Sequence, residues 1–149
     1  MILLSIHPEY VDKILSKKKH FEFRKIVPKN FSKDLRIAIY STRPVCRIVA
    51  FVDVCKIHTG TPYTLWRHAS KGAGIDKRSY ENYFKGCKGA VAFEISGVHE
   101  LVKPLTLKGA GYNSNAPQSF SYLRPNQIDK IISAWKRKGR HYAKKAKVF

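Results

Sequence analysis

The sequence predicts one α+β domain, a small mixed β-barrel with peripheral helices and a C-terminal helix followed by a basic tail. The chain has 149 residues, about the length of one domain. Hydrophobic residues make up 44% of it, enough to bury a real core. The predicted strands outnumber the helices and do not alternate with them regularly, which disfavours a βαβ fold.

The first half of the chain contains four predicted strands and one helix. Residues 1–6 are apolar and form the first strand, and Pro8 opens a helix that continues to Ser16, because proline is favoured in a first helical turn. Residues 20–24 alternate, which predicts a half-buried strand with its phenylalanines inward. A second alternating strand covers residues 36–40. Residues 47–57 are apolar on both faces, which is typical of a central strand.

In the second half, short helices over residues 62–70 and 76–84 flank a glycine-rich link at Gly72 and Gly74. Aromatic residues interleaved with cations in these helices suit the binding of a single strand, but helical spacing favours core positions for most of them: Trp66, Tyr80, Tyr83 and Phe84. Two separate strands follow, over residues 90–95 and 98–107, the second broken by Pro104. Residues 108–123 are rich in Gly, Asn and Ser and predict a long connection, which in a compact domain is either disordered or functional.

The final segment begins with the clearest helical pattern in the chain. Pro125 opens it, and apolar side chains recur at helical spacing at Ile128, Ile131, Ile132 and Trp135. Gly139 is a suitable stop, and the residues after it are strongly basic. We therefore divide the chain into a domain over residues 1–123 and a helix-and-tail extension over residues 124–149.

Charge is the main indicator of the partner. The chain carries 29 Lys and Arg against 10 Asp and Glu, a formal net charge of +19. Folding needs no such excess, so a polyanion is expected, with nucleic acid favoured over a membrane because no apolar run reaches spanning length. Cys46, Cys55 and Cys87 form no CxxC pair, so we expect no disulfide framework, metal site or cofactor, and a cytoplasmic location. The oligomeric state stays open.

The densest group of functional candidates covers residues 17–24, where the first helix gives way to a strand. Lys19 and Glu22 are the catalytic candidates, since crowded lysines lower one another's proton affinity and a carboxylate serves as general acid or base. The nucleic-acid contacts expected here are Lys17, Lys18, His20 and Arg24. On spacing alone, a solvated strand face with a weak ion pair is an equally good interpretation.

The run from Ser16 to Arg24 resembles the signature of the ASCH family, G-x-K-x-x-E-x-R. Lys19, Glu22 and Arg24 stand at the K, E and R positions, while Lys17 replaces the first glycine. Residues 3–6, 39–44 and 116–123 also look like segments of that family, so the resemblance covers roughly residues 1–123. It implies a PUA-like barrel with a cleft facing the motif and a role in RNA metabolism.

The resemblance implies two activities. Some family members are ribonucleases, and phosphoryl transfer needs mainly cations and a base, which Lys19 with Tyr40 or Ser119 supplies. One bacterial type is an amidohydrolase of acetylated cytidine, in which a lysine activates a threonine three residues later. Here Glu22 stands at that threonine's position, and a carboxylate does not replace a hydroxyl nucleophile in acyl transfer.

Further nucleic-acid contacts are predicted in two turns and in the tail. Gln118, in the long connection over residues 108–123, offers a donor and an acceptor to a base edge. Ser41 and Thr42 follow an apolar strand. Turn residues of this kind are often only structural. Cations near the C-terminus add salt-sensitive affinity for the backbone: Lys136, Arg137, Lys138, Arg140, Lys144 and Lys145.

Three functions follow, in order of preference. The first is an RNA-binding module that holds a base or modified nucleotide near the motif. The second is a small RNA-processing hydrolase that uses the same cleft. The third is a DNA-associated regulator, ranked last because no helix-turn-helix or zinc-finger pattern occurs.

Overall fold

The structure is a computed structural model that describes residues 1–30 and 34–136. Its strands are β1 (Ile2–Ile6), β2 (Phe21–Arg24), β3 (Arg36–Ser41), β4 (Arg47–Gly60), β5 (Ala90–Leu105) and β6 (Phe120–Tyr122). Its α-helices are α1 (Pro8–Leu15), α2 (Pro62–Ala69), α3 (Lys77–Phe84) and α4 (Pro125–Lys136), with a 3-10 turn over Ser70–Gly72. Within the described ranges no helix is long and apolar enough to cross a membrane.

Local chemistry explains where the two central helices begin. The side chain of Thr61 accepts a hydrogen bond from the backbone N–H of Thr64 and so caps α2, which has a proline in its first turn. Asp76 caps α3 in the same way by accepting from the N–H of Ser79. Each cap satisfies a backbone donor that the helix itself leaves free.

The six strands form one mixed sheet in the order β2-β5-β4-β3-β1-β6. β1 pairs in parallel with β3 and antiparallel with β6, while the long strands β4 and β5 shift register near Asp53 and Val54. The Arg24 side chain on edge strand β2 reaches the carbonyl oxygen of Ser5 on β1, at 2.8 Å. The sheet is therefore curled into an incomplete barrel, and the predicted α+β, barrel-like fold is confirmed.

Three apolar clusters stabilise this arrangement by removing hydrophobic surface from water. The barrel interior contains Ile2, Leu4, Ile14, Ile37, Ile39, Val52 and Phe93. The opposite face of the sheet packs against α4 through Leu3, Phe51, Leu101, Ile131 and Ala134. α2 and α3 cover the outer side of β2 and β5 through Phe23, Leu65, Tyr80, Phe84 and Ala92.

The structure corrects the prediction of a half-buried second strand. Phe23 does pack inward, but Glu22 and Arg24 are only 7% and 9% exposed. Glu22 stands opposite Phe93, a residue of the barrel interior, so the polar face of β2 points into the barrel while helices cover its apolar face. The weak, solvated ion pair is therefore the wrong interpretation of this segment.

Two other predictions are wrong in part. Residues 90–105 form the single strand β5, which accommodates Gly97 through a register shift opposite Asp53 and Val54 instead of ending there. The long connection contains strand β6, whose Ser121 pairs with Leu3. The proposed helix stop at Gly139 lies outside the described residues, and the division of the chain after residue 123 stays a prediction.

Candidate functional site

A pocket of about 200 Å³ opens beside the barrel, between α1, β2 and α3. We call it the motif pocket, because Lys19, Glu22 and Arg24 are its buried polar lining. Aromatic rings and backbone from neighbouring segments complete the lining: Ser5, Ile6, His7, Tyr10, Phe23, Ile75, Tyr80 and Tyr83. The sequence prediction therefore placed the three motif residues together correctly.

The motif residues form a charge network. The Glu22 carboxylate lies 3.0 Å from Arg24 Nη2 through one oxygen and 3.8 Å from Lys19 Nζ through the other. Arg24 Nη2 also donates to the Ser5 carbonyl, whereas its buried Nε has no partner among the described residues. A buried cluster with one positive charge in excess and one unsatisfied donor favours an anionic or acceptor-bearing ligand.

Lys19 is held in an unusual environment for an ammonium group. Its Nζ donates to the carbonyl oxygen of Ala73 at 2.6 Å and lies 5.0 Å from the ring centre of Phe23 and 5.4 Å from that of Tyr10. Burial lowers the pKa of Lys19, and the Glu22 carboxylate only partly opposes that effect. The sequence predicted this direction from crowded lysines, but desolvation is the larger cause, and the contributing lysine is Lys13.

A short segment, Ala73–Ile75, passes directly over Lys19, and we call it the strap. Gly74 has a φ of +63°, and a Cβ added to it would lie 2.5 Å from Lys19 Cβ. Lys13 Nζ fastens the strap by donating to the Gly74 carbonyl oxygen at 3.1 Å. Only glycine permits both this backbone conformation and this close approach. Sequence reasoning treated Gly72 and Gly74 as a link and missed their role.

The aromatic wall of the motif pocket is rigid and partly accessible. The Tyr80 hydroxyl donates to the Pro62 carbonyl oxygen at 2.8 Å, and burial raises the pKa of Tyr80 to about 12, which keeps it a donor. Tyr83 is more exposed, with Lys25 Nζ 4.8 Å from its ring centre. Helical spacing placed these rings in the core, so sequence reasoning missed them as pocket walls, as it missed His7.

The other candidates of the motif segment lie away from the motif pocket. Lys17, Lys18 and His20 are exposed in the turn between α1 and β2 and do not line it. His20 precedes β2, and its Nε2 lies 2.8 Å from the carbonyl oxygen of Lys17. The prediction that His20 shares a strand face with Glu22 and Arg24 is therefore wrong, because the strand begins one residue later.

Tyr40, Ser41 and Thr42 lie at and after the end of β3 and do not line the motif pocket. Tyr40 packs in the cluster between the sheet and α4, and burial raises the pKa of its phenol. Ser41 is only 2% exposed. Tyr40 is thus held away from Lys19, and its catalytic role stays a prediction.

The long connection over residues 108–123 passes beside the end of β1. Ser5 Oγ donates to the Pro117 carbonyl oxygen at 2.7 Å, which ties the residues before Gln118 and Ser119 to a strand that lines the motif pocket. Neither Gln118 nor Ser119 lines it directly, so their roles stay predictions. Lys136 is exposed at the end of α4, and the tail candidates Arg137, Lys138, Arg140, Lys144 and Lys145 lie outside the described residues.

In residues 1–30 and 34–136, no group of three or more His, Cys, Asp or Glu side chains is placed to hold a metal ion. Lys19 offers an ammonium with a lowered pKa, Arg24 a guanidinium, and Glu22 a carboxylate, all on a rigid strand and its leading turn.

Comparison with known proteins places these observations in context. The ASCH domain family matches residues 4–99. A protein of Zymomonas mobilis named "ASCH domain-containing ribonuclease" is 34% identical over 134 residues. The alignment covers 88% of this chain and 89% of the Zymomonas mobilis protein. The crystal structure of ASCH from Zymomonas mobilis matches with a TM-score of 0.81 at 32% identity, over 89% of this chain and 93% of that one. The N-terminal domain of Staphylothermus marinus McrB shares the fold alone, with a TM-score of 0.59 at 10% identity over 89% of this chain and 92% of that one.

Proposed function

The chain belongs to the ASCH domain family, and we propose that it binds single-stranded RNA by taking one nucleotide into the motif pocket. The relative from Zymomonas mobilis that is named a ribonuclease supports RNA over DNA as the partner. The observation that carries the proposal is the buried pair of cations, Lys19 and Arg24, with a single carboxylate under an aromatic wall.

The chemistry of the motif pocket fits one nucleotide. Its volume of about 200 Å³ is below the roughly 300–1,000 Å³ of pockets for drug-sized ligands, so it suits one planar group. Tyr10 and Tyr83 offer ring faces on which a base stacks, and the Glu22 carboxylate accepts from a base N–H. Lys19 and Arg24 supply donors for a phosphate or a base carbonyl.

Exposed cations extend this attraction beyond the motif pocket. Lys17 and Lys18 are exposed on the turn before β2, outside the motif pocket, and the whole chain carries a formal net charge of +19. Contacts of this kind release counterions from the RNA backbone, so affinity falls with salt whatever the sequence. The exposed cations therefore supply general affinity, and the motif pocket supplies selectivity for a base.

The first test removes the buried ammonium while keeping the side chain's length. Lys19→Met should weaken binding of a single-stranded RNA octamer by roughly 10- to 150-fold, since a hydrogen bond to a charged group contributes about 1.5–3 kcal/mol. Lys18→Met is the matched control, because Lys18 is the exposed neighbour and should change affinity only slightly. Fluorescence anisotropy at fixed salt measures both, with circular dichroism to verify folding.

Equal, small losses for the two variants would contradict the motif pocket as the binding site. Duplex DNA that displaces the RNA octamer at equal concentration and salt would overturn the preference for RNA. A wild-type Kd that depends on the identity of a single base, and loses that dependence in Lys19→Met, would support recognition inside the motif pocket.

RNA cleavage is a second candidate, favoured by the lowered pKa of Lys19. A lysine with a neutral fraction can accept the proton of a ribose 2′-hydroxyl as that oxygen attacks the phosphorus, while the adjacent Arg24 stabilises charge on the phosphate. The bond from phosphorus to the 5′-oxygen then breaks, and the 5′-oxygen takes a proton from water. On denaturing gels, wild-type protein should then shorten end-labelled RNA, faster as pH rises, while Lys19→Met leaves it intact. RNA that stays full-length with wild-type protein throughout the pH series would eliminate this candidate and leave the binding proposal standing.

A further inference from the structure

We infer that a groove between α2 and α3 is a second nucleotide site, which holds a base two nucleotides along the strand from the one in the motif pocket. This inference rests on the proposed function and extends it from one nucleotide to a short strand. The groove has a volume of about 700 Å³. We call it the helix groove, and the residues that matter are Tyr63, Trp66, Lys77, Tyr80, Cys87 and Lys88.

The helix groove presents aromatic rings to solvent. Tyr63 is 70% exposed, although it is a large side chain beside a buried helical face. Trp66 is half-buried, with its ring centre 4.7 Å from that of Tyr80, which fixes its orientation. Exposed aromatic side chains of this kind give single-stranded nucleic acids a stacking platform, because every base has a π-face.

The charge around these rings selects a polyanion as the occupant. Lys77 and Lys88 are exposed at the rim, and the Arg67 guanidinium lies 6.0 Å from the Tyr63 ring centre. Glu81 is paired with Lys77 at 3.7 Å, whereas Lys88 has no carboxylate partner within the described residues. Rings interleaved with unpaired cations match alternating bases and phosphates better than they match an apolar peptide.

The helix groove lies next to the motif pocket, with one side chain between them. Tyr80 lines both cavities, is only 2% exposed, and is held by its hydrogen bond to Pro62. One ring therefore forms the partition between the two sites. A strand with one base in the motif pocket would place an adjacent nucleotide over α3 and its next base against Tyr63 and Trp66.

The test compares RNA lengths. Tyr63→Ala should weaken binding of an RNA octamer about tenfold, the loss expected for one stacked base, and leave the affinity for a dinucleotide unchanged. Tyr63→Phe keeps the ring and should retain octamer affinity. Lys88→Gln should also reduce octamer affinity, whereas Lys103→Gln, an exposed lysine on β5, serves as the charge control.

The outcomes separate this inference from the proposed function. If Lys19→Met weakens both RNAs but Tyr63→Ala weakens neither, the helix groove is not a nucleotide site and the motif pocket stands. If neither variant affects binding, both proposals fail. If Tyr63→Ala weakens the dinucleotide as strongly as the octamer, the helix groove is not a separate site and the inference is overturned.

A chemical footprint provides an independent measurement. Cys87 lines the helix groove, whereas Cys55 is exposed on β4 and does not line it. The RNA octamer should slow alkylation of Cys87 several-fold and leave Cys55 unchanged, as read by mass spectrometry of the two peptides. Equal rates with and without RNA would overturn the inference, and a Tyr63-dependent dimer in RNA-free ultracentrifugation would assign the helix groove to a second copy of the chain.

Discussion

Two clusters in this molecule have the same layout, a carboxylate between two nitrogen-bearing side chains, in different surroundings. In the Glu22 cluster, a carboxylate lies between Lys19 and Arg24, and in the Asp53 cluster a carboxylate lies between Arg36 and His99. Asp53 is the better paired of the two, with contacts of 2.8 Å to Arg36 Nε and 2.5 Å to His99 Nε2. Glu22 has contacts of 3.0 Å and 3.8 Å.

Burial separates the two clusters. The Glu22 side chain is 10% exposed and the Asp53 side chain 35%. An exposed ion pair contributes about 0–1 kcal/mol, whereas removing one partner of a buried pair costs about 3–5 kcal/mol, because the remaining charge loses both water and its partner. A buried ion network also contributes less stability than well-packed apolar residues would. The burial of the Glu22 cluster therefore agrees with the ligand-binding role proposed above for the motif pocket.

The largest expected effect comes from removing the Glu22 carboxylate, with removal of the Asp53 carboxylate as the comparison. Glu22→Gln should lower the free energy of unfolding by about 3–5 kcal/mol, since it leaves Lys19 and Arg24 buried without a counter-charge. Asp53→Asn should lower it by about 1 kcal/mol or less. Urea denaturation of both variants measures the difference. Equal losses would show that burial does not separate the clusters.

A smaller effect should come from the strap over Lys19. Gly74→Ala places an alanine at positive φ and puts its Cβ 2.5 Å from Lys19 Cβ. It should therefore lower the free energy of unfolding by more than the roughly 1–2 kcal/mol expected for an alanine in the left-handed region alone. Gly86→Ala is a matched control, because Gly86 has a φ of +77° and nothing within 4 Å of the added Cβ. Only Gly74→Ala should also weaken RNA binding. Equal RNA affinities in the two variants would deny the strap a positioning role.

The smallest effect is a pH dependence that has the same sign in the two clusters but falls in different pH ranges, alkaline for Lys19 and acidic for Asp53. The pKa of Lys19 is below its ordinary 10.5 in the folded state, so folding releases protons and stability rises with pH between the lowered pKa and 10.5. Burial raises the pKa of Asp53, but hydrogen bonds from His99 and Arg36 outweigh it and hold that pKa below 3.8. Its stabilisation is therefore lost as pH falls below about 4.

Urea denaturation across pH tests both pH ranges by comparison with Lys19→Met and Asp53→Asn. The difference from wild type should change on the alkaline side for Lys19→Met and on the acidic side for Asp53→Asn. A pH-independent difference for Lys19→Met would show that Lys19 titrates normally in the folded protein.

The sequence predicted the first four strands, the four helices and the position of the motif, because these depend on local patterns, but it divided β5 in two and missed β6. It did not predict the burial of Glu22 and Arg24. Alternation over residues 20–24 shows that two faces differ, but not that α2 and α3, some 40–60 residues later, cover the apolar face. Once that face is covered, the polar face can turn toward the barrel interior.

The aromatic residues show the same limit. Helical spacing placed Trp66, Tyr80, Tyr83 and Phe84 together, and it predicted correctly that Tyr80 and Phe84 are buried. The spacing did not indicate the exposure of Tyr63, which lies outside the apolar face of α2 and is 70% exposed. The strap was equally hidden, because a glycine required by a neighbour 55 residues away in sequence looks like any other loop glycine.

The pairing of β1 has a consequence for synthesis of the chain. β1 has two neighbours, β3 and β6, and the second is supplied by residues 120–122. At roughly 5–20 residues per second, a ribosome needs about 6–23 s to reach that segment after completing β1. Until then one edge of β1 has unsatisfied amides and carbonyls, which other chains can pair with. Because β1 is only five residues long, that nascent edge offers a short template for misassembly.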